Sequence, residues 1–439
     1  MSLLDQFGVA QSAADAAAVA CFDRSLRKLL IFDRDPLTDA QAALERDPEF
    51  AMAHVIKGLL YALSTERRLL PEARTARHAA RALAHGLGER EIAHIAALEA
   101  WTDGRFHEAA RHWERILVAE PRDALAMFAA HQSDFLLGRS DELRDRVARR
   151  LARIDAGTAL EGVYQGMHAF GLEESGDYAS AERAGQLAVE RERRDAWAIH
   201  AVAHVMEMTG RCDAGLRWLE SRAADWAENC ALAVHTWWHY ALFYFEERRW
   251  DEVLRIYDQR IAQAVVSNSV MELLDASALL WRLQLQNVDV GARWPPLADV
   301  WEARIDEGWY AFNDLHAMMA LAAADRAEPS RQLLARLRAC AAAENDNGLV
   351  ARAVGLPAAE ALLAYARGQY ALAADKLAPI IAIAARAGGS HAQRDLLVLT
   401  LASAAERSGQ RGLARKILAA RLQLKPQTAL NLEWSRRFQ

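Results

Sequence analysis

Cysteine, proline and strand-forming patterns are all scarce in this chain, and each shortage removes a class of protein. The 439 residues include four cysteines, Cys21, Cys212, Cys230 and Cys340, far apart and without a C-x-x-C. That spacing excludes a disulfide framework and a thiolate zinc site, and it fits a reducing compartment. Ten prolines among 52% hydrophobic residues leave no disordered composition. The chain also lacks a dense basic run, and its net charge is −6, so nucleic acid is not an expected partner. No uninterrupted apolar stretch approaches the roughly eighteen residues of a membrane helix. The opening Met1-Ser2-Leu3-Leu4-Asp5-Gln6 has neither the basic nor the apolar region of a signal peptide. A cytoplasmic protein without membrane association is expected. There is no P-loop and no strand-bounded G-x-G-x-x-G, which argues against nucleotide-driven chemistry.

Apolar residues recur at three and four spacings between Gly or charged breaks, the pattern of helices. The breaks themselves repeat: Asp103-Gly104-Arg105-Phe106, Ser175-Gly176-Asp177-Tyr178, Thr209-Gly210-Arg211-Cys212, Arg248-Arg249-Trp250, Arg367-Gly368-Gln369-Tyr370 and Ser408-Gly409-Gln410-Arg411. Two residues beyond four of these turns stands an aromatic, Phe106, Tyr178, Trp250 or Tyr370. Five beyond stands a small residue, Ala109, Ala181, Gly215, Ala373 or Ala414, with Val253 the exception. Pro121 and Pro426 fall where a helix has to stop. Weaker turns at Gly138, Asn287 and Asp325 fill the gaps, at spacings of 34 to 43 residues. Each unit resembles a stretched tetratricopeptide (TPR) repeat, whose ideal period is about 34 residues. The expected fold is an all-α, TPR-like α-solenoid of helix-turn-helix repeats curled around a central polar cavity. One domain spans 1–439: N-terminal helices over 1–100, central repeats over 101–330 lining the pocket, and C-terminal repeats over 331–439.

In a TPR unit the first helix lines the concave surface, so its register sorts the polar residues. Counting back from Gly210 places His200, His204 and Glu207 on one inward stripe. Counting back from Arg248 places His235 and Trp238 there, with His239 alongside. Neighbouring first helices offer Tyr164 and His168 on one side, and Asp275, Arg282, Asn313, Asp314 and His316 on the other. Near the C-terminus, Gly388-Gly389-Ser390 opens a helix carrying Gln393, Arg394 and Asp395, a start that can receive an anion.

These same residues resemble the tetratricopeptide repeat protein 38 family nearly end to end. The resemblance is carried by Gly171 to Glu174, Asp195 to Met208, His235 to Leu242, Asp275 to Leu283, Phe312 to His316, Ala351 to Pro357 and Gly388 to Asp395. Thr236 and His391 depart from it, at positions where the family often has Asn. The resemblance implies a TPR-like fold and a soluble protein.

Several histidines, an Arg, carboxylates and Trp in one space suit a small polar or anionic metabolite better than an extended peptide. His204 and Glu207 are the candidate acid/base pair, with His200 or His239 as partner and Trp238 as an apolar wall. Arg282 or Arg394 would hold an anionic substrate, alongside Tyr164, His168, His235, Asp275, Asn313, Asp314, His316, Gln393 and Asp395. A sharper version places a divalent metal such as zinc between His200-x-x-x-His204 and His235-x-x-x-His239, with hydrolysis the expected reaction class. Two other readings compete. One is a peptide-binding TPR adaptor, and the other is a buried hydrogen-bond network without a ligand. An exposed apolar flank could support a homodimer.

Overall fold

The computed structural model describes residues 3–228 and 230–438. The chain is helical nearly throughout. Among the described residues the sheet content is one antiparallel pairing, Leu3–Leu4 with Ala10–Gln11.

The turns are the most regular feature. Gly104, Gly138, Gly176, Gly210, Arg248, Asn287, Asp325, Gly368 and Gly409 all take left-handed φ values, between 54° and 82°. At each, the next residue's N–H reaches back five residues, as in Arg105 to Ala100, Arg211 to Met206 and Gln410 to Ala405. The turn residue itself donates three residues back, as in Gly104 to Trp101 and Gly210 to Glu207. This is the Schellman end of a helix, which satisfies the last carbonyls and favours glycine because a Cβ is strained there. Asn287 and Asp325 tolerate the conformation because their short polar side chains do; Arg248 adopts it at a cost.

The positions beyond each turn follow from the same geometry. Phe106, Tyr178, Trp250 and Tyr370 each open the succeeding helix. Three of them pack on an aromatic five residues earlier, across the turn: Phe106 on Trp101 at 4.7 Å, Trp250 on Phe245 at 5.3 Å and Tyr370 on Tyr365 at 5.2 Å between ring centres. Ala109, Ala181, Ala373 and Ala414 are fully buried where helices approach. A Cβ on Gly215 would stand 2.1 Å from the Phe243 ring. Pro121 and Pro426 follow the ends of Phe106–Ala119 and Arg411–Leu424.

The chain divides into two compact units, Met1–Val202 with Glu228–Leu232, and Ala203–Ala227 with Ala233–Gln439. In the first unit, Trp101 and Trp113 lie 5.9 Å apart and Phe22 meets Phe50 at 5.3 Å. Among its buried polar groups, Arg146 pairs with Asp134 at 2.7 Å, and His94 with Asp123 at 3.0 Å.

In the second unit the helix Val270–Leu285 is central. It packs against Ala233–Glu246, Ala311–Ala323 and His391–Arg407. Trp281 ties it to the last of these, its indole N–H donating to the Thr400 hydroxyl at 3.0 Å. One helical run, Asp346–Ala366, is long and apolar enough in composition to cross a membrane despite its charged residues. A window of it is 56% buried against the rest of the chain, as in a core helix.

Candidate functional site

The second unit gathers three of its histidines, His204, His235 and His239, between three helices. Ala233–Glu246 supplies His235, Trp238 and His239, the two imidazoles one turn apart. Val270–Leu285 supplies Asp275 and Arg282. The helix Ala196–Met208 supplies His204 and Glu207 from the part that belongs to this unit. All seven side chains are buried, and His235 at 8% is the most exposed.

Each imidazole of the Ala233–Glu246 helix faces its own carboxylate. His235 Nδ1 lies 2.9 and 3.0 Å from the two oxygens of Asp275. His239 Nδ1 lies 2.9 Å from Glu207 Oε2. His239, one of the two expected partners of the His204 and Glu207 pair, is thus the imidazole that meets the Glu207 carboxylate, across two neighbouring helices. His204 packs its ring on His239, with centres 4.3 Å apart, and His239 meets His235 at 4.9 Å. Trp238 stacks on His235 at 5.3 Å and 15°. Burial holds the His239 imidazole well below its usual range, reinforced by His204, His235, Arg282 and Lys425. Burial raises Asp275 above the usual carboxylate range, and His235 and Arg282 only partly offset it.

Behind Glu207 runs a chain of buried ions. Lys425 Nζ contacts Glu207 Oε1 at 3.4 Å and Glu246 Oε1 at 3.0 Å. Arg421 donates to the same Glu246 oxygen at 3.1 Å, to Asn431 at 3.1 Å, and to Asp395. Burial alone would lower Lys425, but Glu246, Glu207 and Asp395 outweigh it and raise its pKa. Arg421 is raised in the same way, against burial, by Asp395 and Glu246. Asp395 is lowered because Arg421 and Lys425 overcome its burial. Both cations are fully compensated.

Arg282 is not. It is 1% exposed, and its hydrogen bonds go to main-chain carbonyls, Ala392 at 2.5 Å and Ala278 at 3.3 Å. No carboxylate pairs with it among the described residues. Burial lowers its pKa and the more distant Asp395 and Glu207 do not restore it. Its guanidinium lies 5.1 Å from the Trp238 ring centre. Trp238 Nε1, also buried, finds no acceptor among the described residues. Two neighbouring buried groups are thus rich in donors and short of negative charge.

The other expected residues fall in different surroundings. His316 donates Nδ1 to the Phe312 carbonyl at 2.9 Å, and burial lowers it to about 4, with Arg282 adding to the effect. Its Nε2 has no partner among the described residues. Asp314 does not share that face, since residues two apart on a helix point about 200° apart. It responds instead to Glu307 and Arg336, and burial raises it to about 8. Asn313 is buried on the same helix. Gln393 is a capping residue: its side chain accepts from Ser390 N at 2.9 Å while its own N–H donates to Ser390 Oγ at 3.2 Å. The Arg394 guanidinium turns back onto the Gly389 carbonyl, and Asp395 belongs to the ion chain. The expected anion seat at this helix start is filled by the protein's own cap.

Tyr164, His168 and His200 belong to the first unit. The Tyr164 hydroxyl donates to the Pro121 carbonyl at 2.9 Å. His168 lines an open groove of about 400 Å³ with Leu151, Leu172, Arg183 and Leu187. His200 lies against Phe170 and Trp197, at 5.6 and 5.2 Å between ring centres.

Lys425, Glu246 and Arg421 were not expected from sequence. Arg421 lies in the second helix of its repeat and Lys425 just past its end, outside the register that sorts first helices, and Glu246 ends the first helix Ala233–Glu246 off the counted positions. No family model matches the chain, so its chemistry is argued from these side chains.

Proposed function

We propose that this chain is a TPR-like helical-repeat protein whose second unit binds a small anionic metabolite, one bearing a carboxylate or phosphate. The observation that carries this reading is Arg282, a buried guanidinium without a carboxylate, beside the unsatisfied indole N–H of Trp238. A buried cation is costly unless paired, and Arg presents a planar fork of donors suited to a carboxylate or phosphate. The neighbouring imidazole–carboxylate pairs give the bound anion reactive company, and hydrolysis is the reaction class to test first. The repeated left-handed turns and the small residues five positions beyond them support the repeat architecture.

The test is a thermal-shift screen of wild type and Arg282→Met against short mono-, di- and tricarboxylates, phosphate monoesters and short peptides. A ligand at 100 times its dissociation constant adds roughly 2.7 kcal/mol of stability. A shift with one anion class in wild type that is lost in Arg282→Met is the expected result. Shifts from peptides alone would make the chain an adaptor, and an anion shift that survives Arg282→Met would remove the reading.

A further inference from the structure

We propose that the second unit carries a transition-metal site, for zinc or a similar divalent ion, with His204, His235 and His239 as ligands and with Asp275 and Glu207 positioning two of them. A ring nitrogen of each histidine lies within 4.8 Å of those of the other two. Imidazole nitrogens about 2.0 to 2.1 Å from a shared tetrahedral zinc stand roughly 3.3 Å apart, so small rotamer changes close the site. The donor set is three imidazoles without thiolate, a choice that suits zinc, copper, cobalt or nickel and not magnesium or calcium.

The carboxylates distinguish this arrangement from a packed histidine cluster. A metal-bound histidine usually donates its second N–H to a carboxylate, which fixes the tautomer and aims the other nitrogen at the ion. Here two of the three histidines show that relationship, His235 with Asp275 and His239 with Glu207. Both donate from Nδ1, which leaves the lone pair on Nε2 in each ring. Glu207 is in turn held by Lys425, and the plane of His235 is held by its stack on Trp238. A cluster that only filled space would have no use for two buried carboxylates that set the tautomers of adjacent rings. The inference rests on the imidazoles and not on Arg282, so it and the anion reading fail separately.

The experiment uses the full, tag-free chain. Metal content is measured by mass spectrometry after purification, the protein is stripped with a chelator, and zinc and cobalt(II) are titrated back. Melting temperature, cobalt absorption and X-ray absorption at the metal edge are the readouts. The expected result is one ion per chain, a melting temperature that falls on chelation and recovers with zinc, and an edge spectrum with at least three imidazole nitrogens. His204→Gln and His239→Gln should abolish stoichiometric binding. Should either fail to fold, Asp275→Asn, which keeps every ligand, should weaken zinc by about 10- to 100-fold. Wild-type protein that binds neither zinc nor cobalt would overturn the proposal. So would an edge spectrum with fewer than three imidazoles, or zinc affinity unchanged in Asp275→Asn and in the folded histidine variants.

Discussion

Arg282 and Trp238 face each other 5.1 Å apart in the interior of the second unit, a guanidinium over an indole, from two adjacent helices. Cation–π attraction of this kind is worth about 2 kcal/mol when desolvated, which does not replace a counter-ion. Arg282→Met should therefore leave the ligand-free protein as stable as wild type or more so, because an apolar chain of similar length removes a charge without a partner. Calorimetric melting in ligand-free buffer checks this. A marked loss of stability would mean that Arg282 is a structural cation.

The ion chain from Glu207 to Asp395 should behave as a unit. Glu246 accepts from both Arg421 and Lys425, so Glu246→Gln strips two buried cations of their shared partner and should cost about 3 to 5 kcal/mol. Adding Lys425→Met should recover part of that loss. Denaturant melts of the two single variants and the double variant measure the coupling. Additive losses would show that the contacts act independently.

Turn strain and turn packing can be separated at two glycines. Gly409 has a φ of 78° and open space around it, whereas a Cβ at Gly210, φ 69°, would also meet Thr428 at 3.2 Å and the Lys425 backbone at 3.3 Å. Gly409→Ala should cost about 1 kcal/mol, the price of a left-handed alanine. Gly210→Ala should cost more, and should disturb the placement of Lys425. Equal losses in urea melts would count against the packing term.

Asp314 supplies a pH signature. It ionises near 3.8 in an unfolded chain and near 8 in the fold, through burial and Glu307, with Arg336 opposing. Between those values the folded state keeps a proton that the unfolded state has lost, so the stability it contributes at low pH is lost as pH rises toward 8. Asp314→Asn should match wild type near pH 4 and exceed it by on the order of a few kcal/mol above pH 8. Melting curves across that range would refute the assignment if the two proteins stayed parallel.

Much of the helical frame was legible in the residues. Every turn expected from the spacing carries a left-handed residue, including the non-glycine positions Arg248, Asn287 and Asp325. Helix ends are local events, fixed by hydrogen bonds within about six residues and by the strain that a Cβ adds. His204, Glu207, His235, His239, Asp275 and Arg282 are all buried, on helices that are covered on nearly every side.

Partner choice was not legible. The sequence by itself determined where the turns between helices fall. Only the tertiary structure decided that Glu207 meets His239 and that Lys425 and Arg421 come to neutralise Glu246, which is 179 residues from Lys425 in the chain. These are contacts between side chains within about 3 Å, set by the approach of helices distant in sequence, and periodicity along one helix contains no term for them. The same packing left Arg282 with carbonyls and no counter-ion: burial is written in the pattern of one helix, whereas charge balance belongs to the whole interior.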